Sequence, residues 1–171
     1  MRIFTKEELR EILGKHLKWL LNNEGGERAD LYGANLYGAD LYGANLSRAN
    51  LSRAKNIDKT LNIFYPICCP EYGIFIGWKK GKDNTIIKLE ICEDALRCSA
   101  TSRKCRCNKA KVLEITDRGG NQIKNIPSNF DNEFIYTVGK ISEVEDFDRN
   151  RWEECSTGIH FFITKEEAER W

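Results

Sequence analysis

The run "ADLYGANLYGADLYGANLSRANLSRA", Ala29 to Ala54, repeats Ala every five residues and places Leu two positions after each Ala. A period of five fits neither the 3.6-residue turn of a helix nor the two-residue pleat of a strand. If Ala and Leu both point inward and every repeat contains a turn, the chain winds as a square coil. Four repeats complete one circuit, and the next circuit stacks about 4.8 Å away, within backbone hydrogen-bonding range. Leu31 then lies under Leu51, and Ala29 under Ala49. A narrow square interior has room for one large side chain per side, with a methyl between. Five copies make little more than one circuit, so both ends of the apolar axis need cover.

These A-[D/N]-L-x-x quintets resemble the pentapeptide-repeat proteins, and the resemblance implies a right-handed quadrilateral β-helix. The register breaks at "AKNID", where Asn56 takes the place of the expected Leu. Family members that mimic DNA and bind type II topoisomerases depend, as the resemblance implies, on a long acidic rod. Here Asp30 and Asp40 stand against Arg28, Arg48 and Arg53, so DNA mimicry is not expected. Tyr32, Tyr37 and Tyr42 each follow a Leu and ring three outer sides. Exposed amphipathic rings suit an interaction surface, for instance for a host protein; equally, they suit packing beneath the following domain.

Upstream, Thr5 and Glu8 form a capping-box pair, Phe4 and Leu9 sit at staple positions, and Leu9, Ile12, Leu13, Leu17, Leu20 and Leu21 make one helical stripe. His16 lies beside the stripe and reads as partly covered helix surface. The helix is expected to stop near Asn22-Asn23, with "NEGGER" as the turn into the repeat.

With 171 residues, 41% of them apolar, the chain has material for one ordinary domain or two small ones. A formal charge of +1 supplies no overall field towards nucleic acid or an anionic membrane, so any such attraction must be local. No run of 18 apolar residues exists, and Met1 leads into an amphipathic pattern rather than a signal core; these features point to the cytoplasm and to no membrane partner. Seven cysteines, an odd number, read as reduced thiols.

Past residue 57 the pattern changes to strands. "GIFIGWKK" and "TIIKLEIC" flank "GKDN" as a hairpin, with Ile87, Leu89 and Ile91 on one face. "KAKVLEIT", "EFIYTVGK" and "GIHFFIT" supply further strands, and Thr164 with Glu167 caps a last short helix. The expected fold is mainly β: an N-terminal helix (1–24) capping a β-helix coil (25–57), then a mostly antiparallel α+β domain (58–171). "CPEYGIFIGWKK", "SATSRKCR", "YTVGK" and "RWEECSTGIHFFITKEEAERW" resemble a domain of uncharacterised function that follows pentapeptide repeats in bacterial and bacteriophage proteins. That resemblance implies an association with phage or prophage but no reaction.

The segment "RCSATSRKCRCNKAK" carries Arg97, Arg103, Lys104, Arg106, Lys109 and Lys111 without an acid. With Ser99, Thr101 and Ser102 as hydroxyl donors, it is a candidate site for a phosphate-bearing small molecule or a nucleic-acid backbone. The alternative is a solvated edge that discourages strand aggregation. Cys98, Cys105 and Cys107 lack the paired C-x2-C spacing of structural zinc sites, and alternation makes Cys105 and Cys107 small core fillers. No metal or other cofactor is assigned. Arg151, Trp152 and His160, gathered by a Ser-Thr-Gly turn, form a second candidate ligand cluster, Trp152 to stack and the others to donate. The alternative for His160 is a histidine satisfied within a sheet.

"GIHFFITKEEAERW" is loosely similar to a strand and helix of ADP-ribosyltransferases, with Glu153 or Glu154 as the only candidate acids. Only His16 and His160 are available as histidine bases, and there is no G-x-S-x-G or Walker-type loop, so no catalytic residue is assigned. The sequence thus predicts a non-catalytic two-part protein, a mounting or self-association coil carrying a ligand-binding domain, assembled as a homo-oligomer that hides the leftover apolar end. A protein–protein scaffold or host-protein inhibitor, and an ADP-ribosyltransferase-like enzyme, are the alternatives.

Overall fold

A computed structural model describes residues 2–42, 44–57, 60 and 67–171. Met1, Gly43 of the third quintet and the first residues after the expected boundary at 57 lie outside the described residues. What is described is mostly β with two α-helices, and the chain divides into two units. One comprises Met1–Pro66, Ala100–Ser102 and Trp152–Glu154; the other comprises Ile67–Ser99, Arg103–Arg151 and Cys155–Trp171. Three-residue pieces from late in the chain therefore belong to the first unit, which a linear division at residue 57 does not anticipate.

In the first unit, α1 (Lys6–Leu20) begins as the sequence dictates: Thr5 accepts from the Glu8 amide, and the Glu8 carboxylate accepts from the Thr5 amide at 2.8 Å. The turn after it passes so close to the helix that a Cβ on Gly26 would lie 2.4 Å from the Trp19 nitrogen, which restricts that position to glycine. Each following quintet is built alike. The amide of Ala34, Ala39, Ala44, Ala49 or Ala54 donates to the carbonyl of the Leu three residues before it, closing a β-turn. Gly33, Gly38, Arg48 and Arg53 occupy the third turn position with positive φ, as a type II turn requires. The Asp or Asn before each Leu accepts from the amide two residues on, as Asp30 does from Tyr32 and Asn45 from Ser47. The repeat motif is thus accounted for position by position, with Asx shaping the turn and Leu and Ala filling the interior.

Parallel bridges join Asp30 to Asn50 and Asn35 to Lys55, residues four quintets apart, and the Leu31 amide donates to the Asn50 carbonyl at 2.8 Å. Leu31, Leu36, Leu41, Leu46 and Leu51 are buried in one cluster with Leu9 of α1. After the break at Asn56, Ile57 turns inward and joins that cluster. The late pieces satisfy backbone groups of the repeat region: the Arg48 amide donates to the Thr101 carbonyl, the Thr101 hydroxyl donates to the Ala49 carbonyl, and the Arg53 amide donates to the Glu153 carboxylate.

His16 corrects its sequence reading as helix surface, because it is fully buried. Its Nδ1 accepts from the Ala29 amide and its Nε2 donates to the Ser47 carbonyl, each at 3.1 Å, tying the helix to the repeat region. Burial lowers its pKa, and only the neutral ring can both accept and donate in this way. His16→Leu should leave the Ala29 amide and the Ser47 carbonyl without these partners and cost about 2 kcal/mol, read as a lower urea midpoint. An unchanged midpoint would contradict the structural role.

In the second unit, β1 (Phe75–Lys80), β2 (Ile86–Ile91), β5 (Lys109–Thr116) and β8 (Ile141–Glu143) form an antiparallel sheet in that order. A second sheet orders β3 (Arg97–Ser99), β4 (Cys105–Cys107) and β9 (Ile159–Phe161), and a two-stranded ribbon pairs β6 (Asn125–Pro127) with β7 (Ile135–Thr137). The helix α2 (Lys165–Arg170) starts at the Thr164–Glu167 capping box expected from sequence. Ile87, Leu89 and Ile91 face one core with Cys105, Cys107, Ile159 and Phe161. At Gly77 a Cβ would meet the Phe161 ring at 2.7 Å, so glycine lets β1 approach it. Reciprocal 2.7 Å backbone bonds between Trp78 and Phe162 then lay the end of β1 beside β9. That junction places Lys79 next to His160.

Candidate functional site

Beyond the end of β1 the second unit opens into a cleft of about 1220 Å³, lined among others by Lys79, Lys104, Tyr136, Cys155, His160 and Trp171. Small-molecule sites commonly occupy roughly 300–1,000 Å³, so a nucleotide-sized ligand fits with room to spare. Lys79 alternates in phase with Phe75 and Gly77, which turns it to the inner face, and it is only 7% exposed. Its ammonium lies 3.4 Å from the His160 carbonyl and 5.7 Å from the centre of the Tyr136 ring; among the described residues it forms no ion pair with a carboxylate. Burial, with the neighbouring Lys104 charge, pushes its pKa down to about 8.

Lys104 is also buried, its Nζ 3.2 Å from the Cys155 Sγ and 4.9 Å from the centre of the Trp171 ring. His160 donates from Nε2 to the Ser156 carbonyl at 3.0 Å. Burial and the charges of Lys104, Lys79 and Arg106 push its pKa down to about 4, so it is neutral at physiological pH. It offers the cleft no further charge. The stability that neutral His160 allows is therefore lost as pH falls from about 6.5, its unfolded value, through about 4. Trp171 presents a ring that is 68% exposed, and Phe130 another exposed ring. Two buried lysines and two exposed aromatic rings in the cleft lining can hold an anion attached to a planar group.

The family comparison matches residues 65–168, more than half of the chain, to a family of unknown function (DUF5758). The chain belongs to this family. Residues 27–55 match pentapeptide repeats, in a description that specifies eight copies. No curated protein and no solved structure matches. The cleft residues from Lys79 to His160 lie within the DUF5758 match, and Trp171 lies just beyond it.

Of the residues singled out in sequence, the DUF5758 domain brings Lys104 and His160 to the cleft and sends the others elsewhere. Arg97 spends its guanidinium on the carbonyls of Pro70, Gly73, Cys92, Glu93 and Ala95. Arg106, buried on β4, donates to the carbonyls of Asp148, Asn150 and Thr157. Arg103 pairs with Glu167 at 2.6 Å, which lowers the pKa of that carboxyl, and Lys109 pairs with Asp94. Ser99 accepts from the Cys68 amide, and Arg151 donates to the Ser99 carbonyl. The six positive charges do not form a single loop surface, because Lys104 and Arg106 are buried, the guanidiniums of Arg97 and Arg106 are taken up by turn carbonyls, and Arg103 and Lys109 pair with carboxylates.

Thr101, Ser102 and Trp152 belong to the first unit: Trp152 packs on the repeat cluster, and the Glu154 carboxylate accepts from the Thr101 and Ser102 amides. Glu153 and Glu154 hold backbone amides in this way, which makes them turn anchors. Tyr37 and Tyr42 stand 70% and 78% exposed, and Tyr32 is exposed beneath the Arg53 guanidinium. Sequence reasoning missed Lys79, Tyr136 and Trp171. The one signal for Lys79 was a lysine in phase with the apolar face of β1.

Proposed function

We propose that the DUF5758 domain is a non-catalytic binding module whose cleft holds a phosphate-bearing ligand with a planar ring, such as a nucleotide. Lys79 and Lys104 take the phosphate, and Trp171 and Phe130 take the ring. The observation that carries this reading is the Lys79 ammonium, buried in a cleft wall with no carboxylate in ion-pair range among the described residues. A buried charge costs stability, and an anionic ligand is the natural compensation. The repeat unit is the mount: a right-handed quadrilateral β-helix, capped by α1 at one end and closed by the late pieces at the other. The twenty-residue parallel bridges and the packing of Leu9 support that shape. Exposure of Tyr37 and Tyr42 favours a second role for this unit in self-association, which light scattering of the Y37S/Y42S variant tests; a mass unchanged from that of the parent protein would contradict it.

Thermal denaturation of the full chain with AMP and with inorganic phosphate tests the binding reading. At 100 times its dissociation constant a ligand adds about 2.7 kcal/mol of stability. AMP is expected to raise the transition, and Lys104→Met to remove the rise. No shift with either anion would overturn the proposal.

A further inference from the structure

The cleft has a second, opposite charge. Asp83, Asp131, Glu143, Glu145 and Asp146 also line it, all exposed and none in an ion pair among the described residues. Against them stand Lys79 and Lys104, which are buried, and Lys80, whose ammonium points to the Glu169 carbonyl at 3.4 Å. The five carboxylates outnumber the three lysines, and all five are exposed, whereas Lys79 and Lys104 are buried and Lys80 is half-buried. A plain anion entering this cleft meets repulsion at the mouth before attraction at the base. A polyphosphate would keep part of its charge against the mouth. Among the described residues no three acidic, cysteine or histidine side chains converge as metal ligands would.

We infer that the ligand is zwitterionic: a phosphate or carboxylate that goes inward to Lys79 and Lys104, joined through a planar group to an ammonium or guanidinium that faces the acidic mouth. The inference rests on the anion-binding reading above and adds the cationic end. Each exposed carboxylate contributes little, because solvent screens it, but several of one sign along a cleft wall focus a field on the same group. That field acts over about a Debye length, roughly 8 Å at physiological salt, and weakens as salt is added. The expected gain from the cationic end is therefore about five- to ten-fold in affinity, and it shrinks in high salt.

The test uses two probes that share ring and phosphate and differ in one group, pyridoxamine 5′-phosphate with an aminomethyl and pyridoxine 5′-phosphate with a hydroxymethyl. Both are titrated calorimetrically into the full-length protein at low and high salt. Tighter binding of the amine by about five-fold or more, narrowing in salt and abolished in E145Q/D146N, is the expected result. These two side chains are exposed, so the double variant keeps the fold, and retained pyridoxine 5′-phosphate binding verifies it. Equal affinities, or a gap that survives both salt and the double substitution, would overturn the zwitterion while leaving anion binding in place. Failure of both probes, together with AMP and inorganic phosphate, would overturn the anion-binding reading itself.

Discussion

Lys79→Met is expected to stabilise the free protein at pH 7 and at the same time to abolish phosphate binding. The lysine pKa falls from 10.5 to about 8 on folding, so the unfolded chain binds more protons between those values and stability rises with pH across that window. Below about 8 the whole penalty is present, about 3 kcal/mol for a shift of this size. Methionine keeps the unbranched stem and drops the charge, so about 2 kcal/mol of this should be recovered, seen as a higher urea midpoint. At pH 10.5 the amine is largely neutral in the fold, and the advantage of the variant should narrow. A variant less stable than the parent at pH 7 would mean that the ammonium is satisfied where it lies, and the reason to expect an anion would vanish.

Arg106→Met should have the opposite sign and a larger size. The guanidinium is buried and donates to three carbonyls at 2.7 to 3.0 Å, on Asp148, Asn150 and Thr157, while lying 5.4 Å from the centre of the Phe147 ring. Its loss leaves these acceptors in a poorly hydrated place, and about 3–5 kcal/mol is expected from a fold that relies on it to pin residues 148–157. Arg106→Lys should rescue little, because an ammonium lacks the planar fork that reaches three acceptors at once. Urea denaturation and hydrogen exchange of this segment measure both variants. If Arg106→Met kept its stability and lost phosphate binding instead, the arginine would be a ligand residue, as its place in the basic segment suggested.

That contrast shows where the sequence was legible. The repeat could be read residue by residue because each quintet solves the same local problem: Asx and a positive-φ position make the turn, and Leu and Ala fill the interior. Both capping boxes and the β1–β2 hairpin are equally local. Some short strands escaped: β3, β6 and β8 have three residues each, too few to show alternation by themselves, whereas β9, equally short, was legible because "GIHFFIT" carries the apolar pattern beyond it. The basic segment misled for a physical reason, since a charge count along the chain does not say which arginines will be spent on carbonyls of distant turns. Arg97 and Arg106 are so spent, whereas Lys104 of the same segment and Lys79, one of two lysines at the end of a strand, line the cleft. Likewise His16 looked peripheral on its helix because its two partners, Ala29 and Ser47, lie in the repeat.

The most direct measurement is an NMR titration of the Lys79 side-chain amine in the full-length protein, with and without inorganic phosphate. The account predicts that the amine titrates near pH 8 in the free protein and moves upward when phosphate binds, with Lys79→Met identifying the signal. An amine that titrates near 10.5 in the free protein and ignores phosphate would contradict it.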